Sequence, residues 1–188
     1  MSEYLRLNKE KLQKDLERFC KEAIKLGAET AVPISTNKVV VRNWVRLKCR
    51  FGCGAYGKIL TCPPYSPTPD EMRKVLKEYE VALLVKFGPS VEAGYDDGVN
   101  IHEAIFKLER IVFLSGYYAA FGLACGPCPL CPECNVKEGI CVKPRMARPS
   151  MEACGIDVFA TARNAGFELK VLTSYSQKPT CFGLVLIT

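Results

Sequence analysis

The sequence predicts an α/β fold: a single mixed, mostly parallel sheet flanked by helices, with two cysteine-rich metal-binding loops at the C-terminal edge of the strands. Three observations predict it. Segments with helical and extended patterning alternate along the chain. The run VALLVKF at residues 81–87 is almost continuously apolar, as a strand covered on both faces must be. The dense cysteine groups, in loops 49–66 and 125–149, each follow a segment that reads as a strand. The 188 residues are expected to form one domain carrying both loops.

Residues 9–26 read as an amphipathic helix. Leu12, Leu16, Phe19, Ala23 and Leu26 recur at helical spacing, Asn8 is the expected cap and Gly27 the expected stop. Cys20, beside that stripe, reads as a small buried hydrophobe. The β-branched stretch 38–47, with Val39, Val40, Val41 and Val45, predicts a strand that feeds the first cysteine loop. Thr68, Pro69 and Glu71 then form a helix start, with Met72, Val75, Leu76 and Tyr79 as its buried face. After the strand at 81–87 and the loop GPSVEAGYDDG, a helix is expected over 101–115. Asn100 and Glu103 cap it, and Ile101, Ile105, Leu108 and Val112 line one side. A strand over 118–123 feeds the second loop, a helix runs from Ser150 to Asn164 and is closed by Gly166, and strands at 168–173 and 182–187 end the chain.

Composition narrows the function. Hydrophobic residues make up 48% and charged residues 24%, enough for a core. The opening MSEYLRLNKEKLQKDLERF has no apolar run, and no stretch approaches the roughly 18 apolar residues of a membrane span, so the reading is cytoplasmic with no membrane partner. Cytosolic thiols are held reduced, which turns eleven cysteines toward metal or catalytic roles and away from disulfides. The net charge of +6 comes from scattered Lys and Arg without a basic run or interleaved aromatics, which argues against nucleic acid. Histidine occurs once, as His102, so a Cys2His2 zinc site or a Cys/His nucleophile would have to use it; beside a predicted helix start it reads as an ordinary helix residue. The chemistry rests on sulfur.

The second loop, CGPCPLCPECNVKEGIC, places Cys125, Cys128, Cys131 and Cys134 at every third residue and adds Cys141. Cys128, Cys131, Cys134 and Cys141 form a C-x2-C-x2-C-x6-C pattern, close to the spacing by which bacterial ferredoxins hold a four-iron, four-sulfur (4Fe-4S) cluster, although there the run continues C-x3-C-P. Pro129 and Pro132 follow two of these thiols and limit the loop, while Gly126 and the remaining amides are free to face sulfur. Lys137, Lys143, Arg145 and Arg148 are the nearby cations. Zinc is the alternative, though a ladder whose middle thiol belongs to both C-x2-C pairs suits a single tetrahedral ion less well. The first loop offers Cys49, Cys53 and Cys62 as C-x3-C-x8-C-P-P. Three thiols suit a second cluster with one iron left open, or they recruit Cys125, Cys154 or Cys181 as a fourth ligand; a structural zinc or a plain turn is the simpler reading. GCGAYGK lacks phosphate-loop spacing, and Tyr56 and Lys58 are its polar groups.

The segments CRFGCGAYGKILTCPPYSPTPDE and GPCPLCPECNVKEGICVKPRMARPSMEACGIDVFATARNAG resemble the predicted metal-binding protein family, a domain of unknown function. The resemblance covers nearly the whole chain. It implies Cys49, Cys53 and Cys62 in one ligand group and Cys128, Cys131, Cys134 and Cys141 in the other, and leaves Cys20, Cys125, Cys154 and Cys181 outside. It supplies no reaction.

The expected function is an iron–sulfur protein that exchanges electrons with a protein redox partner or with a substrate at the cluster edge. One alternative is an enzyme handling sulfur or a small thiol at an open iron of the three-cysteine site. The other is a zinc-stabilised binding module without redox chemistry. Asp96 and Asp97 read as a turn, Asp157 and Arg163 either as partners supporting the second cysteine loop or equally as a solvated helix face, and Trp44 and Tyr117 as packing residues.

Overall fold

The computed structural model describes residues 3–88, 100–174, 176, 177 and 179–188, the first six of these by backbone alone. Among them the chain order is α1 (Glu3–Lys25), β1 (Thr30–Ser35), a short 3-10 turn (Thr36–Lys38), α2 (Asn43–Gly52), α3 (Pro69–Leu76), β2 (Val81–Phe87), α4 (Ile101–Leu114), β3 (Phe121–Leu123), a second 3-10 turn (Glu152–Cys154), α5 (Val158–Asn164) and β4 (Cys181–Leu186). The strands form one sheet in the order β1-β2-β4-β3.

Every pairing in that sheet is antiparallel, which corrects the mostly parallel expectation. In β2, Leu84 sits opposite Val32 on one side and Leu184 on the other. The misreading has a physical cause. An apolar run shows only that both faces are covered, and here two cores cover them. Leu83, Val85 and Phe87 join Phe19 of α1 and Ile105 of α4 in one cluster, while Ala82 and Leu84 join Met72 of α3 and Ala162 of α5 in the other. β4 divides the same way, with Val185 in the first cluster and Phe182, Leu184 and Leu186 in the second.

Several boundaries differ from expectation. Strand β1 was not foreseen: Pro33 interrupts its pattern, yet β1 pairs on one side only, where a missing N–H is tolerated. The β-branched stretch 38–47 is not a strand. It gives a turn, an isolated bridge from Val41 to Ile156, and then helix α2 with Val45 buried, because tertiary contacts outweigh the β preference of valine. The first cysteine loop therefore leaves a helix, with Cys49 still inside it, rather than a strand end. Helix α1 starts before residue 9, so Asn8 lies inside it rather than at its cap.

The expected helix from Ser150 to Asn164 breaks at Gly155, whose φ of +81° and close approach to Pro69 admit no side chain, and Asp157 caps the new start by accepting from Ala160 N–H. Strand β3 is shorter than the expected 118–123, and residues 168–173 are irregular rather than a strand. The capping box at Thr68–Glu71, strand β2, the Asn100 cap of α4 and the αL stop at Gly166 are as expected. The Asp96–Asp97 pair lies outside the described residues.

The close seat of α4 on the sheet rests on two glycines. A Cβ on Gly122 would stand 2.7 Å from Ile105 Cγ2, and one on Gly183 would stand 2.5 Å from Ile105 Cδ1 and 3.1 Å from the Leu123 carbonyl oxygen. Gly183→Ala is expected to cost about 1–3 kcal/mol of stability through overpacking. In a urea denaturation series, Ile105→Val should recover part of that loss, so the double variant loses less than the sum of the two; strict additivity would refute the steric account.

Candidate metal centre

The second cysteine loop is an irregular excursion closed at its base. Ala124 and Ser150 pair across it in a parallel bridge, with Ala124 N–H donating to Pro149 O at 2.8 Å and Met151 N–H to Ala124 O at 3.0 Å. Two further contacts fix its ends. His102 is buried on α4, and its Nε2 lies 3.1 Å from Cys125 O; a carbonyl only accepts, so Nε2 carries the proton. Arg148 makes a two-pronged ion pair with the buried Glu109 carboxylate, both contacts at 2.5 Å, and lies over the rings of Phe106 and Phe121. A third contact to Glu109 comes from Gly122 N–H, which donates to Oε2 at 2.7 Å. Arg148 is thus a structural clamp rather than a cation free to face sulfur.

Within the loop, Cys128, Cys131, Cys134 and Cys141 all line one cavity of about 240 Å³. Residues Lys58–Thr61 of the first loop form its opposite wall, and Lys143, which also donates to Leu130 O at 2.6 Å, completes it. Leu60 N–H donates to Cys134 Sγ at 3.3 Å, a direct bond between the loops. Burial pushes the Cys128 thiol up, and the charges of Cys141, Cys131 and Cys134 push it further, although the Leu130 amide opposes them. Neighbouring thiolates that raise the Cys128 thiol repel its charged form, a repulsion that a bound cation relieves.

The three thiols of the first loop are near enough to influence one another electrostatically. Cys49 and Cys53 lie one turn apart at the end of α2, and Cys62 is buried where the loop turns back, just before the cis Pro63–Pro64 bond. The Cys62 thiol is pushed up to about 11, first by burial and then by Cys53, Cys49 and Cys128. That last influence agrees with the Leu60–Cys134 bond in bringing the two loops together. Arg46, on α2, holds this arrangement: its Nη1 donates to Ala153 O at 2.7 Å and to Pro67 O at 2.9 Å, tying helix, loop and the second 3-10 turn together. Ser66 Oγ reaches the same Ala153 carbonyl at 2.7 Å.

Cys49 and Cys53 open onto a larger, mostly apolar cavity of about 740 Å³, walled by Trp44, Ile156, Phe159 and Leu172. Glu152 lines it as well; burial pushes its carboxyl up, and its Oε2 is buried with no hydrogen-bond partner among the described residues. Trp44 is therefore half-exposed at a cavity rather than a packing residue, whereas Tyr117 packs edge-on against Phe19.

The remaining cysteines stand apart. Cys125 and Cys181 share a thiol hydrogen bond inside the first core, which holds Cys125 protonated, and Cys154 is buried in the second. Cys20 packs at the edge of the first core. Among the described residues, no three or more Cys, His, Asp or Glu side chains are gathered as the ligands of a single metal ion would be. No described helix is long and apolar enough to cross a membrane. Sequence reasoning missed the bracing roles of Arg46, His102 and Glu109. Glu109 carried a signal, since it stands one position past Leu108 on the buried stripe of α4.

The family described as predicted metal-binding protein (DUF2284) matches residues 32–187. Neither the curated proteins nor the solved structures contain a match to the chain.

Burial holds His102 below the ordinary histidine value, against the opposing pull of the Cys125, Gly126 and Pro127 carbonyls. The unfolded chain therefore takes up a proton near pH ~6.5 that the folded chain resists, so stability falls as pH drops through that value. Urea midpoints at neutral and mildly acid pH should show that decline in the parent protein and a smaller one in His102→Gln; equal declines would remove His102 as its source.

Proposed function

Because the chain belongs to the predicted metal-binding protein family, we propose that Cys128, Cys131, Cys134 and Cys141 hold a four-iron, four-sulfur cluster, through which the protein exchanges electrons with a protein redox partner or with a substrate at the cluster edge. The carrying observation is that these four thiols line one cavity. Its 240 Å³ gives room for several water-sized groups, at about 30 Å³ each in the liquid, so the space suits a cluster of several atoms better than one ion held at Zn–S distances of about 2.3 Å. The residues fit in other respects. Leu60 N–H already faces Cys134 Sγ, and such amide bonds tune a cluster's potential. Lys58 and Lys143 line the same cavity and offset negative charge. A bound cluster would supply one-electron transfer, which needs no general acid or base and suits a chain with a single, buried histidine. Ile140 and Val142 are exposed on either side of Cys141 and offer a partner an apolar contact. A cytoplasmic location keeps these thiols reduced.

The first loop favours a second reading: an enzyme handling sulfur or a small thiol at an iron that Cys49, Cys53 and Cys62 leave open. Its support is that these three thiols act on one another electrostatically while two of them face the larger cavity.

Anaerobic purification followed by iron, acid-labile sulfide and zinc assays tests the first reading. About four iron and four sulfide per chain are expected for one cluster; a colourless protein with stoichiometric zinc and no sulfide would overturn it in favour of a zinc-stabilised module. Cys134→Ser should lower iron and sulfide several-fold, with Cys20→Ser unchanged. For the second reading, Cys53→Ser and Cys62→Ser should each alter metal content or the visible spectrum in a chain that remains folded, and no response from either would dismiss it.

A further inference from the structure

The larger cavity is not needed by the cluster reading, and its chemistry is distinctive. At about 740 Å³ it lies within the roughly 300–1,000 Å³ of small-molecule sites. Its walls are mostly apolar, and several of the apolar side chains stay solvent-accessible: Trp44, Phe159 and Leu172 are all exposed, and so is Val171 at 73%. A chain that leaves these groups wet around a concave surface has left apolar area for a ligand to cover.

The charged groups on the wall specify the rest. Asp157 is engaged as the cap of α5, accepting from Ala160 N–H at 3.0 Å. Lys170 faces Glu168 at 3.4 Å. Glu152 is the acid whose Oε2 is buried without a partner. The side chains of Lys48 and Arg163, by contrast, have no ion pair or hydrogen bond among the described residues, so two cations line a mostly apolar cavity with no anion paired to them. A guanidinium and an ammonium beside an apolar wall select a molecule with a hydrophobic body and one anionic end.

We propose that this cavity is a binding site for a small organic carboxylate, its apolar body against Trp44 and Phe159 and its charged end met by Lys48 and Arg163. The site stands without any metal. Since Cys49 and Cys53 line the same cavity, the bound carboxylate lies beside the first sulfur group; only its use there as a substrate rests on the three-thiol reading.

Trp44 is the sole tryptophan, so its fluorescence reports on this cavity directly. The test titrates the protein as purified with 4-phenylbutyrate, octanoate and the two matched neutral amides, followed by Trp44 emission and by equilibrium dialysis. Saturable binding of at least one acid is expected, at least ten-fold tighter than its amide. Lys48 and Arg163 are exposed on helices, so their replacement leaves the cores intact. Arg163→Met or Lys48→Met should weaken the acid about ten-fold and leave the amide unchanged, whereas Phe159→Ala should weaken both. Acid and amide binding equally, acid binding indifferent to both cation variants, or no saturable binding of any of the four compounds at millimolar concentration would overturn the proposal. Iron and sulfide contents are measured separately on the same preparations, so a failure here leaves the cluster reading untouched, and the reverse holds as well.

Discussion

The arrangement of sulfur in this protein depends on the closure of one loop at its base. Between Ala124 and Ser150 the chain has little regular structure, and Pro129, Pro132, Pro144 and Pro149 deny it a hydrogen-bonded ladder of its own. What makes it a defined object is the pairing of its two ends and the ties to α4, where His102 meets one end and Glu109 the other. The Glu109–Arg148 pair is largely buried. Breaking one partner of such a pair leaves an uncompensated charge, typically more costly than the loss of an exposed bridge. A loop fixed at its ends by groups of this kind can keep its thiols turned toward a common cavity while remaining irregular between them.

Around that loop the fold works as a bracket. The sheet is covered on both faces, so β2 and β4 are closely packed supports for everything attached to them. Helix α4 is drawn onto the sheet by the absence of side chains at Gly122 and Gly183, which brings its polar row, His102 and Glu109, within reach of the loop's ends. On the opposite side, Arg46 joins α2 to the turn just beyond Ser150, so the first cysteine loop is carried to the second by a helix. The two sulfur groups become neighbours by this route and not by sharing an edge of a parallel sheet.

Much of this was legible in the sequence where the signal is local. The capping box at Thr68, the Asn100 cap, the Gly166 stop and the apolar run of β2 depend on a few adjacent residues, and all are present. The Cys128, Cys131 and Cys134 ladder read from the sequence falls in the loop whose thiols line one cavity. Strand direction was not legible. Covered parallel and covered antiparallel strands bury the same residues, and the pairing partners of β2 lie about fifty residues before it and a hundred after it, at β1 and β4. Val45 belonged to a helix despite its β preference, and Pro33 hid an edge strand. Arg46, with four oxygens within reach of one nitrogen, was invisible for a related reason: its partners come from segments 20 and 107 residues away.

The bond from Leu60 N–H to Cys134 Sγ ties these loops at the level of single atoms. A segment transplanted into another scaffold would arrive without its counterpart, and the sulfur would lose an amide that only the other loop provides. The engineerable unit is therefore the pair of loops together with α2 and α4, and insertions that change the reach of either loop should be tolerated only when matched in its companion.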